Sequence, residues 1–287
     1  MPKKKKTPKE KKDVDFGSQN LRILPLVEDE LVQKYQLKKP LNPVLPDIKK
    51  GALVGIVASI RSGKTVLINN LMMRPEFFKD CFDLSVFISP TIFADKSMKY
   101  IRELYKSTCY DQYSDDIIYK TCAYQEGLSD GTAIPESYSI VCDDAIDLPR
   151  NSALIYLASR FRHYSQKAAL VLFSTQKFRS LSPIVRTNAT DWLISGVKNR
   201  KERESVIEEF GDAFGMAEDE FESMWNYATR EPFSFLYVKM DKTPPEAYRN
   251  FEEQLYPSQR WKGSKSDDDG GEETEVEKDE INDKEEH

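Results

Sequence analysis

The stretch Leu53-Val54-Gly55-Ile56-Val57-Ala58-Ser59-Ile60-Arg61-Ser62-Gly63-Lys64-Thr65 runs from an unbroken apolar segment, through a loop of mostly small and polar residues, into a helical pattern that begins at Lys64. A short apolar run that passes straight into a tight loop and a helix reads as a strand buried on both faces followed by its crossover helix. The same alternation recurs outward from it. Apolar runs at 53–57, 85–89, 138–142, 169–174 and 192–197 read as strands, and 64–73, 96–106, 150–162, 201–214 and 218–229 as helices. A further strand at 233–240 is expected to close an edge. Strand and helix units in series predict an α/β fold, a mostly parallel sheet flanked by helices.

Residues 58–65 fit the pattern G-x-x-x-x-G-K-[ST] of a P-loop, with Ala58 where the first glycine belongs. In such a loop main-chain N–H groups converge on phosphate oxygens at a helix N-terminus. The residues assigned to nucleotide binding are Ala58, Ser59, Ile60, Arg61, Ser62, Gly63, Lys64 and Thr65. Lys64 is expected to reach the β and γ phosphates and Thr65 to offer its hydroxyl to Mg²⁺, so ATP and Mg²⁺ are the cofactors implied. Ala58 and the side chains of Ile60 and Arg61 make this loop bulkier than the pattern's usual form. An ordinary strand-to-helix turn is the competing reading.

A P-loop also needs a carboxylate on a neighbouring strand, and Tyr138-Ser139-Ile140-Val141-Cys142-Asp143-Asp144 supplies two at the end of an apolar run. Asp143 is assigned to the metal and Asp144 to orienting and deprotonating the attacking water, with capping of the following turn as the alternative for Asp144. Asp147 reads as a loop acid. The run that ends in Ser174-Thr175-Gln176 places polar groups at a strand end, Gln176 to sense the γ-phosphate or position water and the other two as capping or turn residues. Arg162, with Arg160 behind it, stands either as a finger reaching a neighbouring subunit's nucleotide or as a cation at a helix C-terminus. His163 reads as a packed or capping residue, and Arg186 is a weaker finger candidate.

With 287 residues, 39% hydrophobic, the chain has ample material for a packed core. Its net charge of -6 belongs mostly to the ends. Residues 1–13 hold seven Lys against Glu10 and Asp13, whereas 262–287 hold four Lys against twelve acids. The basic arm reads equally as a solubilising or localisation tail and as an arm that touches nucleic-acid phosphates. No apolar run of about 18 residues is present, so no membrane span is expected and the chain reads as soluble and intracellular. Cys81, Cys109, Cys122 and Cys142 form no C-x-x-C pair, and His163 and His287 are the only histidines, which argues against zinc. The division expected is a disordered arm at 1–15, a segment at 16–50 packing on the core, an ATPase domain at 51–257 and a disordered acidic tail at 262–287. Within that segment, residues 41–45 and Ile48 are a candidate subunit contact.

The P-loop, the Asp143-Asp144 pair, Arg162-His163 and Ser174-Thr175-Gln176 are followed by Leu181-Ser182-Pro183 and Arg186-Thr187-Asn188. With this set the sequence resembles the FtsK-HerA type packaging ATPases of DNA viruses, over roughly residues 50–255. The similarity is greatest to those of nucleocytoplasmic large DNA viruses and of virophages and other double jelly-roll viruses. The resemblance implies a RecA-like P-loop NTPase that assembles with copies of itself into a pentameric or hexameric ring. Such a ring hydrolyses ATP to push double-stranded DNA into a preformed capsid, with capsid or portal-vertex proteins as partners, in the virion or a cytoplasmic viral factory. Lys64, Asp144, Gln176 and Arg162 then take the catalytic positions, and Thr65 and Asp143 the metal. The sequence departs from the family at Ala58, and at Asp144, where many relatives of the wider superfamily carry Glu. Candidate DNA contacts are 198–203, Lys177, Arg179 and the N-terminal arm. A P-loop phosphotransferase and a nucleotide-binding, DNA-tethering capsid scaffold remain the two other readings.

Overall fold

The computed structural model describes residues 37–129, 136–144, 152–165, 167–258 and 260–261. The two charged ends, Asp147 and His287 lie outside them. Nine strands form one sheet: β1 Ala52–Val57, β2 Leu84–Ile88, β3 Cys109–Tyr110, β4 Tyr138–Cys142, β5 Ala169–Thr175, β6 Asp191–Ile194, β7 Leu236–Lys239, β8 Glu246–Arg249 and β9 Glu253–Tyr256. Their order is β3-β2-β4-β5-β1-β6-β7-β8-β9, the first six parallel and the last three antiparallel. The helices are α1 Lys64–Met73, α2 Lys99–Leu104, α3 Asp115–Ser129, α4 Ala153–Ala158, α5 Pro183–Asn188, α6 Arg200–Phe214 and α7 Glu218–Ala228.

Side-chain alternation along β1 sorts the core into two layers. Leu53 and Val57 face the layer of α3, α4, α6 and α7, while Ala52, Val54 and Ile56 face α1, α2 and the segment before β1. All six residues of β1 are buried, as a central parallel strand requires. Gly55 lies beside Trp192 in the register, and a Cβ on Gly55 would stand 2.3 Å from the indole. The glycine thus lets the fully buried Trp192 lie against β1, where it meets Phe173, Phe178 and Phe210 at centroid distances of 5.4 to 5.8 Å.

Several of the sequence expectations change. The strand at 233–240 narrows to β7, which is internal, because β8 and β9 add two more strands beyond it. Each has four residues, with Pro244-Pro245 before β8 and Asn250 in a left-handed turn after it, too short and interrupted for a period to emerge. Over its described residues the helix expected at 150–162 is α4, which ends at Ala158, and a 3-10 turn, Phe161–Tyr164, follows with Phe161 and Tyr164 buried at its i, i+3 spacing. Helix α3, with Ile117, Ile118, Thr121 and Gly127 in its sequence, had no clear helical signal.

Leu45 and Ile48, read as a candidate subunit contact, are buried in this chain's own core. The segment that carries them is held by Lys239, 2% exposed, whose ammonium donates to the carbonyls of Pro43, Val44 and Leu45 at 3.0 to 3.1 Å. Lys239 pairs in register with Asp191, which is 1% exposed and accepts hydroxyls of Tyr237 and Thr190 at 2.7 Å. All four cysteines are buried and unpaired, and burial pushes the Cys142 thiol up to about 12 and Cys122 up to about 11. Such thiols stay protonated and inert at neutral pH. Among the described residues no helix is long and apolar enough to cross a membrane.

Burial raises the Asp191 carboxyl to about 6 against the hydrogen bonds that lower it. Because the folded value lies above the unfolded one, ionisation costs stability in full above pH 6, and the cost disappears as pH falls through 6 toward the ordinary 3.8. Asp191→Asn, which keeps an acceptor for Tyr237, is expected to gain on the order of 3 kcal/mol relative to wild type between pH 4 and pH 7. Thermal unfolding across that range checks it, and a gap that closes with rising pH would contradict the assignment.

Candidate functional site

The site is built where β1 ends. Ala58 prolongs the strand by donating its N–H to the Thr175 carbonyl of β5 at 3.1 Å, and its methyl group is buried. Alanine is therefore accommodated beneath the loop. The Ser62 N–H and hydroxyl both donate to the Ser59 carbonyl, at 3.3 and 2.6 Å, closing the turn. Ser59 Oγ donates to the Gly196 carbonyl at 3.1 Å and accepts from the Lys198 N–H at 3.3 Å, which ties the loop to the segment after β6. Ile60 and Arg61 extend into solvent, so their bulk does not fill the loop. Arg61 and Gly63 have left-handed backbones, φ 62° and 90°. Helix α1 then starts without a side-chain cap, leaving leading N–H groups for an anion.

Lys64, the first residue of α1, is 9% exposed, and its Nζ lies 2.6 Å from Asp144 Oδ1. Thr65 Oγ1 lies 3.4 Å from Asp143 Oδ2. The two loop residues are thus matched one to one with the two carboxylates at the end of β4. Gln176 Nε2 donates to the same Asp144 oxygen at 3.3 Å, so the sequence-read residues Lys64, Thr65, Asp143, Asp144 and Gln176 are brought together. Thr175 serves its turn, its hydroxyl accepting from the Lys177 N–H at 3.0 Å.

Ser174 does more than cap. Its hydroxyl donates to Asp143 Oδ1 at 2.6 Å and accepts from the Asp144 N–H at 2.8 Å, so one side chain fixes both acids. Ser89 was missed, and its hydroxyl lies 3.5 Å from Asp143 Oδ2. The register explains both: Ile88 pairs with Cys142 and Cys142 with Phe173, so Ser89, Asp143 and Ser174 form the next row across three strands. A polar residue directly after each apolar run was the available signal. Asp144 has φ 57°, a left-handed conformation that Asp and Asn tolerate best after glycine. Burial raises the Asp143 carboxyl above its ordinary value, with Ser174 opposing and the Asp144 charge adding to the rise.

Arg162 is not part of this site within one chain. It lies against Gly51, just before β1, with its Cγ 2.7 Å from where a Cβ on Gly51 would stand. The six residues of β1, roughly 20 Å of strand, separate it from the loop. Arg160 stacks on Tyr156 at 4.2 Å, and His163 is exposed rather than packed. Arg186, the weaker finger candidate, is held by Glu209 at 3.1 Å and lies over Phe178. Among the described residues no group of three or more His, Cys, Asp or Glu could cage a metal. Thr65 with Asp143 is instead the sparse oxygen pair that suits Mg²⁺, which takes one or two carboxylates and completes its octahedron with phosphates and water.

No family model and no curated protein matches the chain. Among solved structures it is similar to the genome packaging NTPase B204 from Sulfolobus turreted icosahedral virus 2 in complex with ATP-gammaS, at TM-score 0.48 and 15% identity over 70% of this chain and 98% of that one. B204, the DNA-packaging ATPase from Sulfolobus turreted icosahedral virus, gives 0.48 and 13% over 69% and 97%. The cytoplasmic domain of the Thermomonospora curvata type VII secretion ATPase EccC gives 0.40 and 13% over 54% and 20%. At this distance no residue-level correspondence follows.

Ser174→Ala would leave an oxygen of the buried Asp143 carboxylate without its donor. The expected loss is about 1–3 kcal/mol of unfolding free energy, read from the midpoint of denaturant unfolding. An unchanged midpoint would mean that Ser174 does not hold the acids.

Proposed function

We propose that this chain is an ATPase that works as a ring of copies and drives double-stranded DNA into a viral capsid. One observation carries the hydrolase part: a buried lysine and a threonine at the head of a loop-capped helix, facing two adjacent carboxylates at 2.6 and 3.4 Å. Triphosphate oxygens are stronger competitors for an ammonium than a partly buried carboxylate, so Lys64 passes from Asp144 to the β and γ phosphates when nucleotide enters. Asp144 is then free to accept a proton from the attacking water, while Gln176, already on the same oxygen, keeps it aimed. Thr65 and Asp143 would hold Mg²⁺, which supplies charge neutralisation on the phosphates.

The ring rests on the motif resemblance. Lying at the amino end of β1, away from this chain's own loop, Arg162 could act as a finger only on another copy's nucleotide, and in that role hydrolysis would require assembly. DNA as the cargo rests on the motif resemblance, together with exposed Lys177, Arg179, Lys198, Arg200 and Lys201 on the segments that leave β5 and β6 beside the loop. Arg200 is shared with Glu204 and Arg203 with Glu222, which leaves the lysines the freer of the basic stretch for phosphate contact.

Steady-state ATP hydrolysis with and without double-stranded DNA, across protein concentration, tests this reading. Turnover is expected to rise steeply with concentration, to be stimulated by DNA and to fall by two or more orders of magnitude in Lys64→Ala. Turnover indifferent to DNA and concentration would point to a monomeric phosphotransferase, and none at all to a scaffold.

A further inference from the structure

Beside the P-loop, on the side away from the carboxylates, lies a cleft of about 650 Å³. Its walls include Val66 and Asn70 of α1, Phe233 and Phe235 before β7, and Asn250 and Phe251 after β8. The volume suits a small organic ligand, and the lining is the aromatic and aliphatic kind with a few polar groups that such ligands use. Gly63 of the loop lines it too, so cleft and phosphate site are continuous.

The sheet order says which end of a nucleotide belongs here. Asp143 and Gln176 follow β4 and β5, on one flank of β1, and these acidic and amide groups define the γ-phosphate end. The base must leave on the other flank, toward β6, β7 and β8, and that flank carries the cleft.

Phe233 is the distinctive residue. It is 73% exposed, its φ of 66° lies in the left-handed region that bulky side chains avoid, and its ring lies 3.0 Å from where a Cβ on Gly63 would stand. The turn that presents it is closed by Ser234, whose N–H and hydroxyl both donate to the Glu231 carbonyl at 3.2 and 2.6 Å. An aromatic ring held in water by an unfavourable backbone at the lip of a phosphate loop contributes little to the core. We propose that the cleft is the nucleobase subsite and that Phe233 is the platform on which the base stacks. This inference rests on the reading of the neighbouring loop as a nucleoside triphosphate site. Stacking on a phenyl ring favours the larger purine face without selecting its edge, so purine nucleotides bind more tightly than pyrimidine ones. Leu45, which also lines the cleft, is held in place because Lys239 binds the carbonyls of Pro43, Val44 and Leu45.

The test is calorimetric titration of the full chain with ATP and with base-free tripolyphosphate, each with Mg²⁺, in wild type, Phe233→Ala, Phe233→Trp and Lys64→Ala. Phe233→Ala is expected to weaken ATP roughly 5- to 100-fold and leave tripolyphosphate unchanged, and Phe233→Trp to retain ATP affinity. Lys64→Ala is expected to weaken both ligands. Unchanged ATP affinity in Phe233→Ala, or an equal fall for both ligands, would overturn the base subsite while leaving the phosphate site standing. Failure of wild type to bind either ligand, or of Lys64→Ala to matter, would overturn the triphosphate reading and this inference with it.

Discussion

An ammonium group nine-tenths removed from water has to be partnered, and the site is organised around how Lys64 meets that need. Its place at the first turn of α1 is set by β1, whose six buried residues fix the strand in the middle of the sheet and deliver the loop to the carboxyl edge. Its partner, Asp144, is delivered by β4, two strands away, and the 2.6 Å contact spans the end of β5 between them. A charge pair of this kind is costly to desolvate and is weak grounds for stability by itself. Under the proposed function its value lies in being exchangeable, since phosphate oxygens would offer the same lysine a better partner and release the aspartate.

The second carboxylate is built differently. Asp143 is 5% exposed and is held by hydroxyls from Ser174, Thr65 and Ser89, three elements converging on one side chain. Hydroxyls can rotate and turn either a proton or a lone pair toward a neighbour, so this pocket accommodates a changing charge at the loop. The pairing of a rigid acid with an exchangeable one follows from the row of Ser89, Asp143 and Ser174 lying one position past the paired strand ends. On the other flank of β1, the antiparallel strands β7 and β8 contribute no acid to this row, and the segments before β7 and after β8 wall an aromatic cleft.

Much of this was legible in the chain. Five apolar runs became five of the six parallel strands within a few residues, because strands buried on both faces must be apolar throughout. The meeting of Lys64 and Thr65 with Asp143 and Asp144 was legible because the G-x-x-x-x-G-K-[ST] pattern and an acid pair after an apolar run are read as one constellation. Phe233 and Ser89 were not, since an exposed phenylalanine and a serine at a strand end carry no local pattern; their roles arise only when strand order brings them to the loop. Arg162 was legible as a residue but not as a place, because its position at the opposite edge depends on the direction of β1. The strands β8 and β9 escaped notice for lack of length.

The claim on which the rest depends is that Lys64 exchanges Asp144 for phosphate and that the freed carboxylate handles the water. Asp144→Asn tests it most directly, since asparagine suits the left-handed backbone at this position and removes only the charge. Equilibrium ATP affinity and single-turnover hydrolysis measured on the same preparation are expected to show binding at least as tight as wild type and a hydrolysis rate reduced about 100-fold or more. Hydrolysis near the wild-type rate, or loss of ATP binding, would contradict it.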